Sequence, residues 1–437
     1  MLIVKSRETS RKKPVKTAQR ASKRLPSKIG LAVAGGGPIG GMYELGALHA
    51  LAESIEGLNM QALDVYVGVS SGAFLVAGLA NGMTTSEMCR IFITGESDRV
   101  RFRPEAFLRP ALFEYMHRAA GVPRALLGWL GDLARRPFDI SVSDLFMRFG
   151  SVLPTGLFDN GAIENFLREM FESYGLSNDF RKLSRPLYIV AAELNSGEAI
   201  RFGSAGYDAV PISRAIEASS ALPGLYPPVR IDGKYYVDGA MRRTLHASVA
   251  LDAGADLVLA INPLVPFDAE RAQNSGKKVP QDIIAGGLPT VLSQMFRAIL
   301  QSRLQVGIAH YGRSYGKADV VLFEPGSDDV EMFYSNVFSY SNRQRVAESA
   351  WQATRADLRE RSDELNALFK RHGMRLREKQ LASTQTLVES LATPLRRTDT
   401  TARLHRVLDR LDGALDNHGL RAPRVPRKTA KRPVARA

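Results

Sequence analysis

The sequence predicts an α/β fold: a central, mostly parallel β-sheet flanked by helices, with a helical insert and a helical C-terminal extension. Three observations predict it. Apolar strands alternate with helical spacings at the start of the main body. Apolar strand segments then recur as far as residue 325. Helical patterns dominate from 282 onward.

In chain order, "KIGLAVAGGG" reads as a buried strand, Ile29–Ala34, ending in glycines. "YELGALHALAES" follows, with Leu45, Leu48 and Leu51 at helical spacing. "DVYVGV" is a second apolar strand, and "GAFLVAGLANG" continues it as a helix. Strand, helix, strand, helix within about fifty residues requires parallel strands joined by right-handed crossovers. Further strands are "LYIVAAEL" (187–194), "KYYVDG" (234–239), "DLVLAINP" (256–263) and "ADVVLFEP" (318–325).

An insert at about 96–156 is rich in arginine and large apolar residues: Phe107, Leu108, Leu112, Phe113, Met116, Leu126, Leu127, Trp129 and Leu130. So many apolar side chains need cover. They belong to a helical subdomain packed on the core, or to a cap beside an active site. "LFDNGAIENFLREMF" starts a helix capped by Asp159 or Asn160. Residues 341–373 read as one long amphipathic helix ending at Gly373. Leu404, Val407, Leu408, Leu411 and Leu415 form one apolar stripe on a further helix. There are no internal repeats.

The 437 residues carry a net charge of +14, unevenly placed. Residues 1–28 hold ten Lys/Arg and one Glu, and 417–437 hold seven Lys/Arg and no acid. The two ends are thus +9 and +7, which leaves −2 for 29–416. Both ends read as disordered, and both attract anionic lipid headgroups; nucleic acid is the less favoured partner. The N-terminal composition also suits a transit peptide, a reading ranked below a plain arm. The first apolar run is four residues, against roughly 7–15 for a secretory h-region. No segment approaches ~18 consecutive apolar residues, so no transmembrane helix is expected. The single cysteine, Cys89, excludes an intramolecular disulfide and fits a reducing compartment.

Three short segments carry chemistry. Gly68-Val69-Ser70-Ser71-Gly72 fits G-x-S-x-G between a strand and a helix. There a tight turn lifts the central serine above the sheet, and small residues at −2 and +2 avoid clashes. "AGGGPIGGMYELGAL" places Gly35, Gly37 and Gly40 in a G-x-G-x-x-G pattern after a strand. That pattern fits a dinucleotide site, but the second strand ends without the acid such a site needs. It equally fits an oxyanion hole, one donor of which is worth ~3–4 kcal/mol. "YYVDGAM" sets Asp238 at the end of a strand before Gly239, where burial can raise a carboxylate pKa toward a working value. Asp-Gly is also an ordinary turn. The seven histidines show no metal-like spacing; His246 is the nearest candidate for a histidine triad.

Together "GGGPIGG", "GVSSG", "AIEASSALPGLYPPV" (215–229) and "YYVDGA" resemble the patatin-like phospholipase family in order and spacing, over roughly 29–265. The resemblance implies a three-layer α/β/α sandwich and hydrolysis of lipid acyl esters by a Ser–Asp dyad. Ser70 takes the place of the nucleophile and Asp238 that of the general base. Gly35, Gly36 and Gly37 take the place of the oxyanion loop, supported by Gly40, Gly68, Gly72 and Gly239. Many members carry Arg or Lys just before Gly40, where this chain has Ile39 after Pro38. That departure bears on headgroup charge preference. "DGA" stands where many members have Asp-Gly-Gly.

The expected domains are a basic disordered arm (1–28), a patatin-like catalytic domain (29–375), a helical extension (376–416) and a basic disordered tail (417–437). The expected function is a serine acyl hydrolase of lipid carboxyl esters, with no cofactor and no metal. It is expected in the cytoplasm, touching membranes reversibly. Alternatives are an acyltransferase or non-lipid esterase with the same dyad, a dinucleotide-binding oxidoreductase, and a non-catalytic membrane- or nucleic-acid-binding protein. The sequence leaves the oligomeric state open.

Overall fold

The computed structural model describes residues 27–391, apart from 98, 104, 106, 108, 112–114, 117–153, 281 and 336–339, together with Ile3–Val4. Most of the insert, the stripe at Leu404–Leu415, the basic tail and most of the basic arm lie outside the described residues. The chain divides into two units, Met1–Leu387 and Val388–Ala437. Of the second, only the end of a short helix, Leu387–Leu391, is described. The first unit contains the main sheet and the helices that cover it.

Its strands are β1 (Ile3–Val4), β2 (Ile29–Val33), β3 (Ile55–Glu56), β4 (Val65–Gly68), β5 (Leu187–Glu193), β6 (Ala199–Phe202), β7 (Val229–Ile231), β8 (Lys234–Asp238), β9 (Leu257–Ile261), β10 (Asp319–Phe323) and β11 (Arg375–Leu376). Five form the parallel heart of the main sheet, in the order β10-β9-β2-β4-β5. Antiparallel strands complete it, with β1 beside β10, β6 and β8 on β5, and β7 on β8. β3 and β11 pair separately. The continuous apolar runs of β4, β9 and β10 are buried at every position, as strands covered by helices on both faces must be. All six strand segments expected from the sequence are present. β1 lies in the segment expected to be a disordered arm.

The register on β5 positions the site. β6 pairs with Ile189 through Ala192 on one edge. β4 and β8 therefore share the other edge. β4 runs parallel and ends with Gly68 opposite Ile189. β8 runs antiparallel and ends with Asp238 opposite Ala191. The C-terminal ends of the two strands meet head to head at Val190.

The principal helices are α1 (Gly37–Ser54), α2 (Ser71–Ala80), α3 (Gly161–Tyr174), α4 (Ile212–Ser219), α5 (Ala247–Asp252), α6 (Gly287–Ser314), α7 (Tyr340–Glu360) and α8 (Ser362–Arg371). Asn160 is the N-cap residue of α3, but the side chain of Asp159 accepts the Gly161 N–H at 2.9 Å. The single helix expected over 341–373 is two. The chain breaks at Arg361 (φ −103°, ψ 20°), whose guanidinium pairs with Asp357 one turn back. Gly373, in the left-handed region at φ +77°, closes the segment.

α1 crosses α7 closely. A Cβ on Gly46 would lie 2.3 Å from the Ala347 carbonyl oxygen and 3.1 Å from the Ala350 Cβ. Near the end of α1, the Trp351 indole N–H donates to Glu53 Oε2 at 3.1 Å, and the Arg355 guanidinium stacks 4.1 Å over the indole. Alanine at 46 gains about 0.5–1 kcal/mol of helix preference, but driving it into a backbone oxygen costs about 1–3 kcal/mol. Gly46→Ala is therefore expected to lower the denaturation midpoint. An equal or higher midpoint would mean that the two helices do not touch there.

Candidate active site

Ser70 follows β4 directly and caps α2, with φ +50° and ψ −122°. A serine does not adopt this conformation unless its neighbours impose it. Its N–H donates to Ser219 Oγ at 2.9 Å, and Ser219 Oγ donates to the Val190 carbonyl at 2.6 Å. The turn is thus tied to the middle of β5. The flanking glycines are needed for space. A Cβ on Gly68 would lie 2.4 Å from Val76 Cγ2 and 2.6 Å from Ala73 Cα. On Gly72 it would lie 2.5 Å from the Ala34 carbonyl oxygen and 2.6 Å from that of Val33. The result is the strained strand-to-helix turn that G-x-S-x-G requires.

Asp238 arrives from the opposite direction at the end of β8. Its N–H donates to the Ala221 carbonyl at 3.0 Å, and its Oδ1 accepts the Ala240 N–H at 2.8 Å. The Ser70 side chain lies beside its carboxyl group. Burial pushes the Asp238 pKa up to about 6, against the lowering effect of the Ala240 hydrogen bond and the neighbouring Ser70 side chain. Gly239 has no room for a side chain, since a Cβ would lie 2.2 Å from the Val190 carbonyl oxygen.

His246 caps α5 with its Nε2 3.4 Å from the Gly239 carbonyl oxygen. Burial pushes its pKa down to about 4, so the ring is neutral at physiological pH. Its one described hydrogen bond is to the Gly239 backbone rather than to Asp238 or Ser70, which gives a histidine triad no support.

The glycine loop packs on the serine turn. A Cβ on Gly35 would lie 2.7 Å from Ser70 Cβ, and one on Gly36 2.5 Å from Pro263 Cγ. Gly40 is looser, 3.1 Å from Pro263 Cγ. Gly37 begins α1 in the left-handed region at φ +63°, and its Cβ direction is open. As the first helical residue, its N–H has no intrahelical acceptor. Gly36 behaves differently: its N–H donates to Ser71 Oγ at 2.9 Å. One amide of the expected oxyanion loop is thus already engaged.

That bond leads to a residue that sequence reasoning missed. Ser71 Oγ donates to Glu44 Oε1 at 3.2 Å. Glu44 is fully buried on α1, and its Oε2 has no partner among the described residues. Burial holds its carboxyl well above the usual range, partly opposed by Ser71. The Glu44–Ser71–Gly36 chain joins helix, serine turn and glycine loop. Its sequence signal is a lone glutamate inside an apolar helical run. Ser219 was likewise missed, although it lies in one of the four motif segments, 215–229.

Ser70 opens onto an apolar pocket of about 100 Å³. Phe74, Leu75, Phe92, Phe102, Phe107 and Tyr226 form much of its wall, with Gly37 and Ser71 beside the serine. Phe92, Phe102, Phe107 and Phe166 pack edge to face, with ring centres 5.0–6.2 Å apart. Phe102 and Phe107 belong to the insert, so the insert contributes to the pocket. The Ser220 hydroxyl also lines it and has no partner among the described residues. Among those residues no cluster of His, Cys, Asp or Glu is arranged to hold a metal ion.

Comparison with solved structures finds VipD from Legionella pneumophila (16% identity, TM-score 0.35, covering 77% of this chain and 67% of that one). It also finds the type III effector ExoU of Pseudomonas aeruginosa (15% identity, TM-score 0.33, 77% and 53%). Human GIVD cytosolic phospholipase A2 is a third (14% identity, TM-score 0.31, 78% and 61%). The chain thus spans between about half and two thirds of those proteins. The family model "Patatin-like phospholipase" matches residues 31–251, a stretch that contains the glycine loop, Ser70, Ser219 and Asp238. This chain belongs to the patatin-like phospholipase family, a family of ester-hydrolysing enzymes.

Proposed function

We propose that the protein hydrolyses carboxyl esters of lipids through a Ser70–Asp238 dyad. One observation carries the reading: two strand ends bring a strained serine that opens onto an apolar pocket together with a buried carboxyl group. Ser70 Oγ attacks the ester carbonyl as Asp238 takes its proton. Asp238 then protonates the departing alcohol. In the second half-reaction it deprotonates the water that releases the fatty acid. The developing oxyanion lies against the free amide of Gly37 and that of Ser71, the first residue of α2. Gly35 lets this loop approach Ser70, and Gly36 holds it there through Ser71. The phenylalanine-rich wall accepts the acyl chain, and Ser220 offers one hydroxyl to the polar ester group.

The dinucleotide alternative loses its support. The glycine loop packs on Ser70, and β4 ends at Gly68 without an acidic side chain. An acyltransferase or non-lipid esterase would use the same dyad, and product analysis with alcohol acceptors separates these from a hydrolase. Among the described residues no helix is long and apolar enough to cross a membrane. Reversible association of a cytoplasmic protein with anionic bilayers, through the two basic ends, fits the charge distribution.

Ser70→Ala is expected to abolish both turnover and labelling by a fluorophosphonate, whereas labelling that moved to Ser71 would refute the assignment. Asp238→Asn should lower kcat by ~10²–10⁴ with the fold retained. Full activity in that variant, with His246→Ala dead, would restore the histidine triad.

The raised pKa of Asp238 sets a pH profile, because a base must be ionised. On a soluble short-chain ester, kcat/KM should rise about tenfold per pH unit up to about pH 6 and level off above. A profile flat between pH 4 and 8 would exclude Asp238 as the base.

Removing residues 1–28 and 417–437 should weaken binding to anionic vesicles at low salt and leave soluble-ester hydrolysis nearly intact. Undiminished low-salt binding would show that the ends are not an anchor.

A further inference from the structure

α6 is apolar on two opposite faces. Arg297, Leu300, Leu304, Ile308 and Tyr311 are buried on one. The opposite face carries Leu288, Val291, Leu292, Met295, Ile299 and Val306, spaced 3, 4, 7, 11 and 18 residues from the first. These six are 37–69% exposed. Ile284, just before the helix, is 77% exposed. Isolated exposed apolar residues are ordinary, but a contiguous stripe over about five helical turns marks an interaction surface.

The charge at one end of the stripe identifies what it meets. Arg303, His310 and Arg313 continue the same helical face toward its C-terminus. With Arg242 and Arg243 they surround an open pocket of about 500 Å³ next to Val306. No acidic side chain lines that pocket. An apolar stripe continuous with a cluster of arginines matches the interfacial layer of an anionic bilayer, with acyl chains under the stripe and headgroup phosphates at the guanidinium groups. A second copy meeting the same face across a two-fold axis would set these four arginines against their counterparts, which is unfavourable.

We propose that the outward face of α6, with Arg242, Arg243, Arg303 and Arg313, docks the protein on an anionic phospholipid bilayer. The surface is built into the folded body, independently of the basic ends. It also adjoins the candidate dyad. Arg303 Nη1 donates to the Met241 carbonyl at 3.1 Å, Thr244 Oγ1 to the Leu300 carbonyl at 3.0 Å, and Met241 follows Asp238 by three residues. The inference deepens the reading of a lipid-ester hydrolase, and its test is made independent of turnover.

The test uses the full-length Ser70→Ala chain, sedimented with vesicles of phosphatidylcholine alone or mixed with phosphatidylglycerol. Binding to the mixed vesicles is expected to exceed binding to the neutral ones by about tenfold or more. Leu292→Glu, Met295→Glu and Ile299→Glu together should lower binding to the mixed vesicles more than about tenfold. That loss should persist in 1 M salt, where exposed charges are screened within about 3 Å. Arg242→Glu with Arg313→Glu should lower binding about tenfold or more at low salt. Thermal melts report whether each variant folds. Leu288→Gln with Val306→Gln serves as the milder apolar change. Binding by these variants equal to that of the parent overturns the proposal, and so does equal parental binding to neutral and anionic vesicles. A dimer that the triple variant converts to monomer, with vesicle binding unchanged, makes the stripe a self-association face instead. Absence of lipid-ester turnover by the wild-type chain would refute the hydrolase reading without touching any of these outcomes.

Discussion

Two strand ends must meet on one edge of β5, and the site depends on that collision. β4 delivers Ser70 from one side and β8 delivers Asp238 from the other, with only Val190 between their last partners. The Val190 carbonyl is the shared anchor. It accepts the Ser219 hydroxyl, which in turn holds the Ser70 N–H, and it excludes any side chain at 239. Backbone register thus brings the two candidate side chains together, before side-chain choice enters. The strained φ of Ser70 persists because strand, helix and hydrogen-bond chain each impose it. The glycine loop adds to this constraint, because Gly35 rests on the Ser70 Cβ.

The electrostatics follow from the same closeness. Asp238 is buried, which favours its neutral form, yet it accepts the Ala240 N–H and lies beside Ser70, which favour the charged form. Burial wins, but only to about 6. That balance suits a base, being ionised at neutral pH yet basic enough to take a proton. It also has a cost in stability. A carboxyl whose folded pKa lies above its unfolded value favours folding at low pH, fully so below about 4. The advantage is lost as pH rises through about 6. With a shift of about two units, the ionised site weighs on the fold by roughly 3 kcal/mol at neutral pH. Glu44 is a harsher case of the same kind, since it is fully buried and one of its oxygens has no partner among the described residues.

The parallel core was legible because its strands are buried on both faces. Such strands appear as unbroken apolar runs between turn residues, and β2, β4, β5, β9 and β10 all do. β6 and β7 were not legible. "AIRF" and "VRI" are short, and their pairing is decided by β5 and β8 rather than by their own pattern. The break at Arg361 was missed because the apolar spacing carries across it, and only the tie from Arg361 back to Asp357 marks it. In the site, Ser70 and Asp238 were visible as motif residues. Ser219 and Glu44 were not, because each acts through hydrogen bonds to residues distant in sequence. Composition does not encode such bonds. The engagement of the Gly36 amide by Ser71 is the same lesson at the glycine loop.

α6 escaped a periodicity reading for the opposite reason. A helix apolar on one face announces itself, whereas one apolar on two opposite faces has its asymmetry cancelled and reads as an ordinary core helix. The fold buries only one of those faces, so the other is exposed by the structure rather than by the sequence pattern. Its hydrogen bonds to the segment after Asp238 run through Arg303, Thr244 and the backbone at Met241 and Leu300. A force or displacement applied along the outer face of α6 therefore has a short, hydrogen-bonded route to the loop that follows Asp238. Packing at Gly239 limits how far that loop can move without disturbing Val190. The surface and the candidate dyad are thus mechanically close, and the same tight register that brings Ser70 and Asp238 together resists their separation.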